Sequence, residues 1–283
     1  MKKQLIVLLS RQRSGTNALR AVLDSHQAIH CFGEVLSCAE SALKQPSSYF
    51  SFAKENYSPA ELAPENQLSI FETFVERLHE QHDKQMTLID LKYNSCHHIS
   101  KLWKNLSEVP VFTWMLRYQI PVIRLRRDNY LRVSLSEARA QDRQKWHDFN
   151  PGERPATKIM LPNRNGKMSE LLHQIRQWRL DDQIADHIFG KNSNVLELQY
   201  TEIFPELNCP MSAAALARIS EFLNVKNEFT TETNYLKTEQ KPFWESVANW
   251  IDVRDTLEGT EFQYCLDDEP LYRSNSNLSR KSA

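Results

Sequence analysis

The segment "QLIVLLSRQRSGTNALRAVLDSH" (4–26) constrains this chain more than any other. A short run with five consecutive apolar residues, Leu5 to Leu9, the length of a buried strand, enters a polar turn holding Gly15, one of only six glycines. Beyond the turn, Leu19, Val22 and Leu23 fall on one face of a helix predicted over 16–25. The same alternation recurs downstream. "TLIDLKY" (87–93), "PVIRLRR" (121–127) and "NVLELQY" (194–200) read as further strands. Helical periodicity covers 68–81, 128–140 with Asp128 as N-cap, 169–189 and 212–223. "PFWESVANWIDVRDTLEG" reads as a last long helix.

Strands alternating with helices predict an α/β fold: a P-loop-like three-layer domain with a central, mostly parallel sheet flanked by helices. One domain over 1–272 accommodates it, with irregular excursions near 41–67 and 139–168 and a polar tail, 273–283, expected to be disordered. In such sheets ligands gather at the carboxyl ends of the strands. The glycine turn lies there.

Charge limits what the turn can serve. The 35 basic and 36 acidic side chains nearly cancel, which excludes broad nucleic-acid or polybasic membrane binding but permits a small anion site. Five cysteines without a CxxC pair argue against a disulfide scaffold or a cysteine-rich zinc site. The pair His97–His98 has no third ligand at a telling spacing, so no metal is expected. The apolar core of "MKKQLIVLL" is shorter than the ~7–15 residues of a signal peptide, and no stretch approaches a membrane span. A cytoplasmic protein is expected.

Glycine permits a left-handed turn and close backbone approach, and the first N–H groups of the next helix favour an anion. Arg13 adds charge; Ser14 and Thr16 add hydroxyl donors. The nucleoside-triphosphatase loop requires glycine and lysine where Ser10 and Thr16 stand here. On these residues alone a capped surface turn and an anion cradle both remain open. "VIRLRRDNYLRVSLSEA" places Arg126 and Arg127 at a strand end, and Ser134 eight residues after Arg126. An arginine and a helical serine so spaced can converge on one phosphate.

Together, Arg13-Ser14-Gly15-Thr16-Asn17 and the Arg126/Ser134 pair resemble the two donor-binding motifs of sulfotransferases that use 3′-phosphoadenosine 5′-phosphosulfate (PAPS). The similarity is closest to bacterial carbohydrate sulfotransferases of the trehalose and nodulation-factor type. Their first motif likewise continues into a helix, a histidine and "GE", as in His26 and "CFGEVL". "YTEIF", "EFLNV" and "LKTEQKPFWESVANWIDVRDTLEGTEFQYCLDDE" extend the likeness over most of the chain. The "RKGxxGxW" element of animal cytosolic relatives is absent, which leaves the C-terminal contacts to the 3′-phosphate and adenine open.

The resemblance implies in-line sulfuryl transfer to a hydroxyl of a carbohydrate or glycolipid, without a metal. Arg13, Ser14, Gly15, Thr16 and Asn17 would hold the phosphosulfate, and Arg126 and Ser134 the 3′-phosphate. Glu34 would be the general base and Arg13 would stabilise the leaving phosphate. Lys92 would face the same cleft and contact the sulfate or acceptor. His26 and His30 are runner-up bases, and Lys237 and Lys241 further candidates for the donor. The loop carrying Arg139, Arg143, Trp146 and His147 would close over the acceptor. Two other classes stay open: a P-loop small-molecule kinase with a divergent loop, and a non-catalytic nucleotide-binding protein. Oligomeric state is left open.

Overall fold

Five strands, Gln4–Ser10 (β1), Ile29–Glu34 (β2), Met86–Lys92 (β3), Val122–Arg126 (β4) and Val195–Gln199 (β5), form one parallel sheet in the order β2-β3-β1-β4-β5. A computed structural model describes residues 3–99, 110–143, 158–162, 167–190, 192–206, 211–233, 235 and 241–273. The α/β architecture with a central parallel sheet between helical layers is the one the sequence predicts. β1 lies at the centre, with β3 on one side and β4 on the other. The chain leaves the carboxyl end of β1 where the strand order reverses, the crevice at which open α/β sheets bind ligands.

Alternation along β1 distributes the core. Ile6 and Leu8 face Leu19, Val22 and Leu23 of Thr16–Asp24 (α1) and the apolar side of Ala213–Leu223 (α9). Leu5, Val7 and Leu9 face the opposite layer, built from Tyr49–Asn56 (α3), Gln67–Glu80 (α4), Pro110–Arg117 (α5) and Met168–Phe189 (α7). The α1 side chains Leu19, Val22 and Leu23 are fully buried, worth roughly 1.5–3 kcal/mol each. That anchors the helix start, and so the glycine turn, against the sheet. A third apolar cluster joins Tyr130–Arg143 (α6), α7 and Trp250–Leu257 (α11), and the one-turn helices Glu40–Leu43 (α2) and Tyr200–Ile203 (α8) follow β2 and β5.

Three local expectations are corrected. β2 falls where no strand was read; it is a half-buried edge strand whose register shifts between Cys31 and Glu34, so its apolar alternation is broken. The N-cap of α6 is Asn129, whose Oδ1 accepts from Arg132 N at 3.0 Å. Asp128 lies instead 3.4 Å from Arg126 Nη2. The last long helix is two: Phe243–Ser246 (α10) and α11. Between them the backbone bonds to Ile159 (Ile159 N to Ser246 O and Ala248 N to Ile159 O, both 2.8 Å), and Asn249 Nδ2 donates to Leu161 O at 2.6 Å. These long-range bonds replace the i→i−4 ladder. Among the described residues no helix is long and apolar enough to cross a membrane.

Candidate functional site

The turn after β1 is shaped by two left-handed residues, Arg13 at φ 65° and Gly15 at φ 84°. They curl the backbone beneath the start of α1, whose first N–H groups receive no side-chain cap. A Cβ on Gly15 would stand 2.7 Å from Phe204 and 3.1 Å from Tyr200, so glycine is required there for space as well as for φ. Ser14 is 1% exposed, and its hydroxyl has no hydrogen-bond partner among the described residues. Leaving such a donor unmade costs about 1–3 kcal/mol; an anion seated in the turn would satisfy it.

Positive charge converges on the same place. Arg127 Nη1 donates to the Arg13 carbonyl at 3.3 Å. Burial, then the Arg127 charge, pulls the Arg13 guanidinium below the ordinary arginine value. Arg127 is buried and already paired with Glu269, and Arg13 stands half-buried beside it, so an anion in the turn would offset the positive charge the two share. Arg13 Nε donates to Ser136 Oγ on α6 at 3.0 Å, which ties the turn to that helix.

β3 supplies the floor. Lys92, 1% exposed, pairs in register with Ser10. Its Nζ donates to Ser10 Oγ at 3.0 Å, to Thr16 Oγ1 at 2.6 Å and to Asp90 Oδ1 at 2.7 Å. Glu34, at the carboxyl end of β2, places Oε1 3.7 Å from the same Nζ. Burial pushes the Glu34 carboxyl above its ordinary value against the pull of Lys92, in the direction a general base needs. Behind it, Arg20 donates to Phe32 O at 3.1 Å and to Asn17 Oδ1, with Nε 3.3 Å from Asp90 Oδ2. A side chain at Gly33 would press on this guanidinium, 3.3 Å from its Nη1.

The fold thus gathers Arg13, Ser14, Gly15, Thr16, Asn17, Glu34 and Lys92 around one turn. Other candidates lie elsewhere or are otherwise engaged. Arg126 turns its guanidinium to Asp186 at 3.1 Å and to Asp128, on the α7 side of β4. Ser134 is buried in α6, and the helical hydroxyl that the turn reaches is Ser136. His26 is buried against Lys226 O at 3.0 Å, and His30 faces Asp24 and the His82 ring; both lie towards the amino ends of the strands. Arg139 and Arg143 belong to α6 rather than to a loop, and Arg139 is 2% exposed. The Lys241 carbonyl accepts from Arg132 at 3.1 Å. Trp146, His147 and Lys237 lie outside the described residues. Among the described residues no group of three or more His, Cys, Asp and Glu side chains is placed to hold a metal.

Sequence reasoning missed Asp90, Arg20, Ser136 and the part played by Arg127. The signal for Arg127 was strand alternation: Arg124 and Arg126 share the α7 side of β4, so the next arginine emerges on the other. Glu269 of the C-terminal segment grips it, with Nε to Oε1 at 2.8 Å and Nη2 to Oε2 at 2.9 Å, above the Tyr200 ring. Arg124 belongs to the framework. It is fully buried and donates to Tyr93, Asp186, Glu197 and the Asp182 carbonyl.

No protein-family model and no curated protein matches the sequence. Among solved structures, the chain is similar to mouse sulfotransferase SULT7A1 complexed with PAP, at 14% identity and a TM-score of 0.42. That match covers 80% of this chain and 60% of the mouse chain, less than two thirds of its length. The chain is also similar to a sulfotransferase from Alicyclobacillus acidocaldarius, at 11% identity and a TM-score of 0.47, over 96% of this chain and 100% of that one.

Proposed function

We propose that this chain is a PAPS-dependent sulfotransferase that sulfates a hydroxyl of a carbohydrate or glycolipid acceptor. The observation that carries the reading is the turn after β1. A buried, unpartnered Ser14 hydroxyl, the uncapped start of α1 and the Arg13–Arg127 pair meet there, beside a half-buried carboxylate. The motif resemblance in Arg13–Asn17 and "CFGEVL" selects phosphosulfate among the anions such a turn could hold.

Bound PAPS supplies a sulfuryl group on a good leaving phosphate. The protein supplies position and charge. Ser14, Thr16 and the backbone N–H groups of the turn hold the phosphosulfate end. Arg13 balances charge that grows on the leaving phosphate. Lys92, fixed to Ser10 and Thr16, braces the turn from below and keeps it rigid. Glu34 takes the proton of the acceptor hydroxyl, and its raised basicity suits that task. Arg126 and Ser134 as holders of the 3′-phosphate, and a cytoplasmic location, belong to this proposal too. For Arg126 to serve, it must exchange Asp186 for phosphate.

Thermal-shift titration with 3′,5′-adenosine bisphosphate tests the donor site, and transfer from labelled PAPS to a panel of sugars and glycolipids tests the activity. Stabilisation by the bisphosphate is expected. A folded protein that ignores the bisphosphate at millimolar concentration but is stabilised by ATP–Mg²⁺ would overturn the reading in favour of a kinase.

A further inference from the structure

The Lys92 ammonium has three N–H groups and three acceptors within 3.0 Å: Thr16 Oγ1, Asp90 Oδ1 and Ser10 Oγ. Glu34, its other carboxylate neighbour, is left at 3.7 Å, beyond hydrogen-bond length. Asp90 and Glu34 are cross-strand partners, so one lysine stands between two carboxylates on adjacent strands. Asp90 is wholly buried, with Arg20 Nε behind it at an ion-pair distance of 3.3 Å from its Oδ2 but without a hydrogen bond. Arg20 is itself held by the Phe32 carbonyl and Asn17. The hydrogen bond that holds Asp90 is the one it accepts from Lys92 at Oδ1.

A buried ion cluster of this kind is weak evidence for stability, since desolvation offsets much of the attraction. Its geometry has a sharper consequence. Without the Asp90 carboxylate, the third N–H of Lys92 would turn to the nearest remaining one, Glu34. A lysine hydrogen bond favours the ionised form of a carboxylate and so weakens it as a base.

We propose that Asp90 is a positioning residue for the transfer reaction: it occupies the third donor of Lys92, so that the ammonium braces the phosphate turn and leaves the Glu34 carboxylate clear of a lysine hydrogen bond for the acceptor hydroxyl. The proposal rests on the reading of Glu34 as the base. Asp90 itself touches neither donor nor acceptor. The charged groups facing Glu34 are Lys92 and Asp90 from β3, Arg20 from α1 and Arg13 from the turn; Asp90 raises its affinity for a proton and the three cations lower it.

Two substitutions then act in opposite senses. Asp90→Asn removes a negative charge and leaves Lys92 only a neutral amide oxygen to donate to, so the ammonium shifts its pull toward Glu34 and the Glu34 titration moves to lower pH. Arg20→Gln removes a cation, so it moves to higher pH. The test is a ¹³C NMR titration of the Glu34 carboxyl in the unliganded parent and both variants, with the bisphosphate thermal shift as control. Transfer from PAPS is then measured against pH. The expected result is opposite displacements, an unchanged bisphosphate shift, and for Asp90→Asn about a ten-fold loss of kcat. The acid limb of that variant moves down in pH, and KM for the acceptor is unchanged.

A Glu34 titration that stays put or rises in Asp90→Asn, or displacements of the same sign in both variants, would overturn the proposal. If Asp90→Asn does not fold, Asp90→Ser takes its place with the same expected sign, because Arg20→Gln acts on Glu34 by charge alone. A parent that transfers nothing to any acceptor sinks the reading of function, while the titration still judges the Asp90–Lys92–Glu34 arrangement.

Discussion

Replacing Gly15 by alanine tests the turn most directly, because the structure sets the size of the effect. At φ 84° a non-glycine residue pays roughly 1–2 kcal/mol for the left-handed conformation. The added Cβ would sit 2.7 Å from Phe204 Cε2, 3.1 Å from Tyr200 Cε2 and 3.3 Å from Phe204 Cζ. Both rings are held in the core, Phe204 at 7% and Tyr200 at 6% exposure, tilted 45° to each other with centroids 4.9 Å apart. They cannot step back without disturbing α9, and crowding of this order costs about 1–3 kcal/mol. The sum is about 2–5 kcal/mol, a large part of the ~5–15 kcal/mol that holds a domain folded.

At ~2–4 °C per kcal/mol for a chain of this size class, Gly15→Ala lowers Tm by roughly 5–20 °C. The relief available to the variant is to push the turn outward, which moves Ser14 and the start of α1 out of register. The bisphosphate-induced rise in Tm should therefore shrink as well. Differential scanning fluorimetry with and without 3′,5′-adenosine bisphosphate reads both quantities. A variant with the parent's Tm and the parent's ligand shift would refute the close-approach argument.

Other substitutions separate chemistry from framework. Glu34→Gln should reduce transfer about 10²–10⁴-fold while bisphosphate stabilisation persists, read by initial rates and thermal shift; a rate within ten-fold of the parent removes Glu34 as the base. The same variant carries a pH signature in stability. Burial raises the Glu34 proton affinity of the folded state, so the stability this group contributes is whole below the unfolded carboxylate value near 4.3 and is lost as pH rises through the folded one. The Tm of Glu34→Gln should therefore gain on the parent from about pH 4 upward, and a gain on acidification instead would reverse the assignment. Arg124→Met should cost about 3 kcal/mol in urea denaturation, the lower end for a broken buried pair, because Asp186 and Glu197 can rehydrate. Its bisphosphate shift should match the parent's, and a selective loss of ligand response would make Arg124 part of the site.

What could be read in advance followed from local pattern. Four of the five strands and α1, α4, α6, α7 and α9 show as runs of buried side chains at period two or 3.6, and that periodicity is present before any tertiary contact forms. Gly15 stood out because a strand that turns straight into a helix needs an unusual backbone. Glu34 was reachable only through resemblance, since β2 is an edge strand with an interrupted apolar pattern.

Side-chain direction and distant pairing settled the rest. Arg126 and Arg127 are neighbours in the chain, yet one faces α7 and the other the glycine turn, because a strand sends successive residues to opposite faces. Asp90 and Glu34 are far apart in sequence and adjacent in register, and Lys92 meets Thr16 across 76 residues. Burial on adjacent strands makes these charges partners, because buried charges must find one another where water cannot reach. A glycine turn between strand and helix was therefore legible in the order of residues; the lysine beneath it and the carboxylate that holds the lysine were brought there by the packing of the sheet.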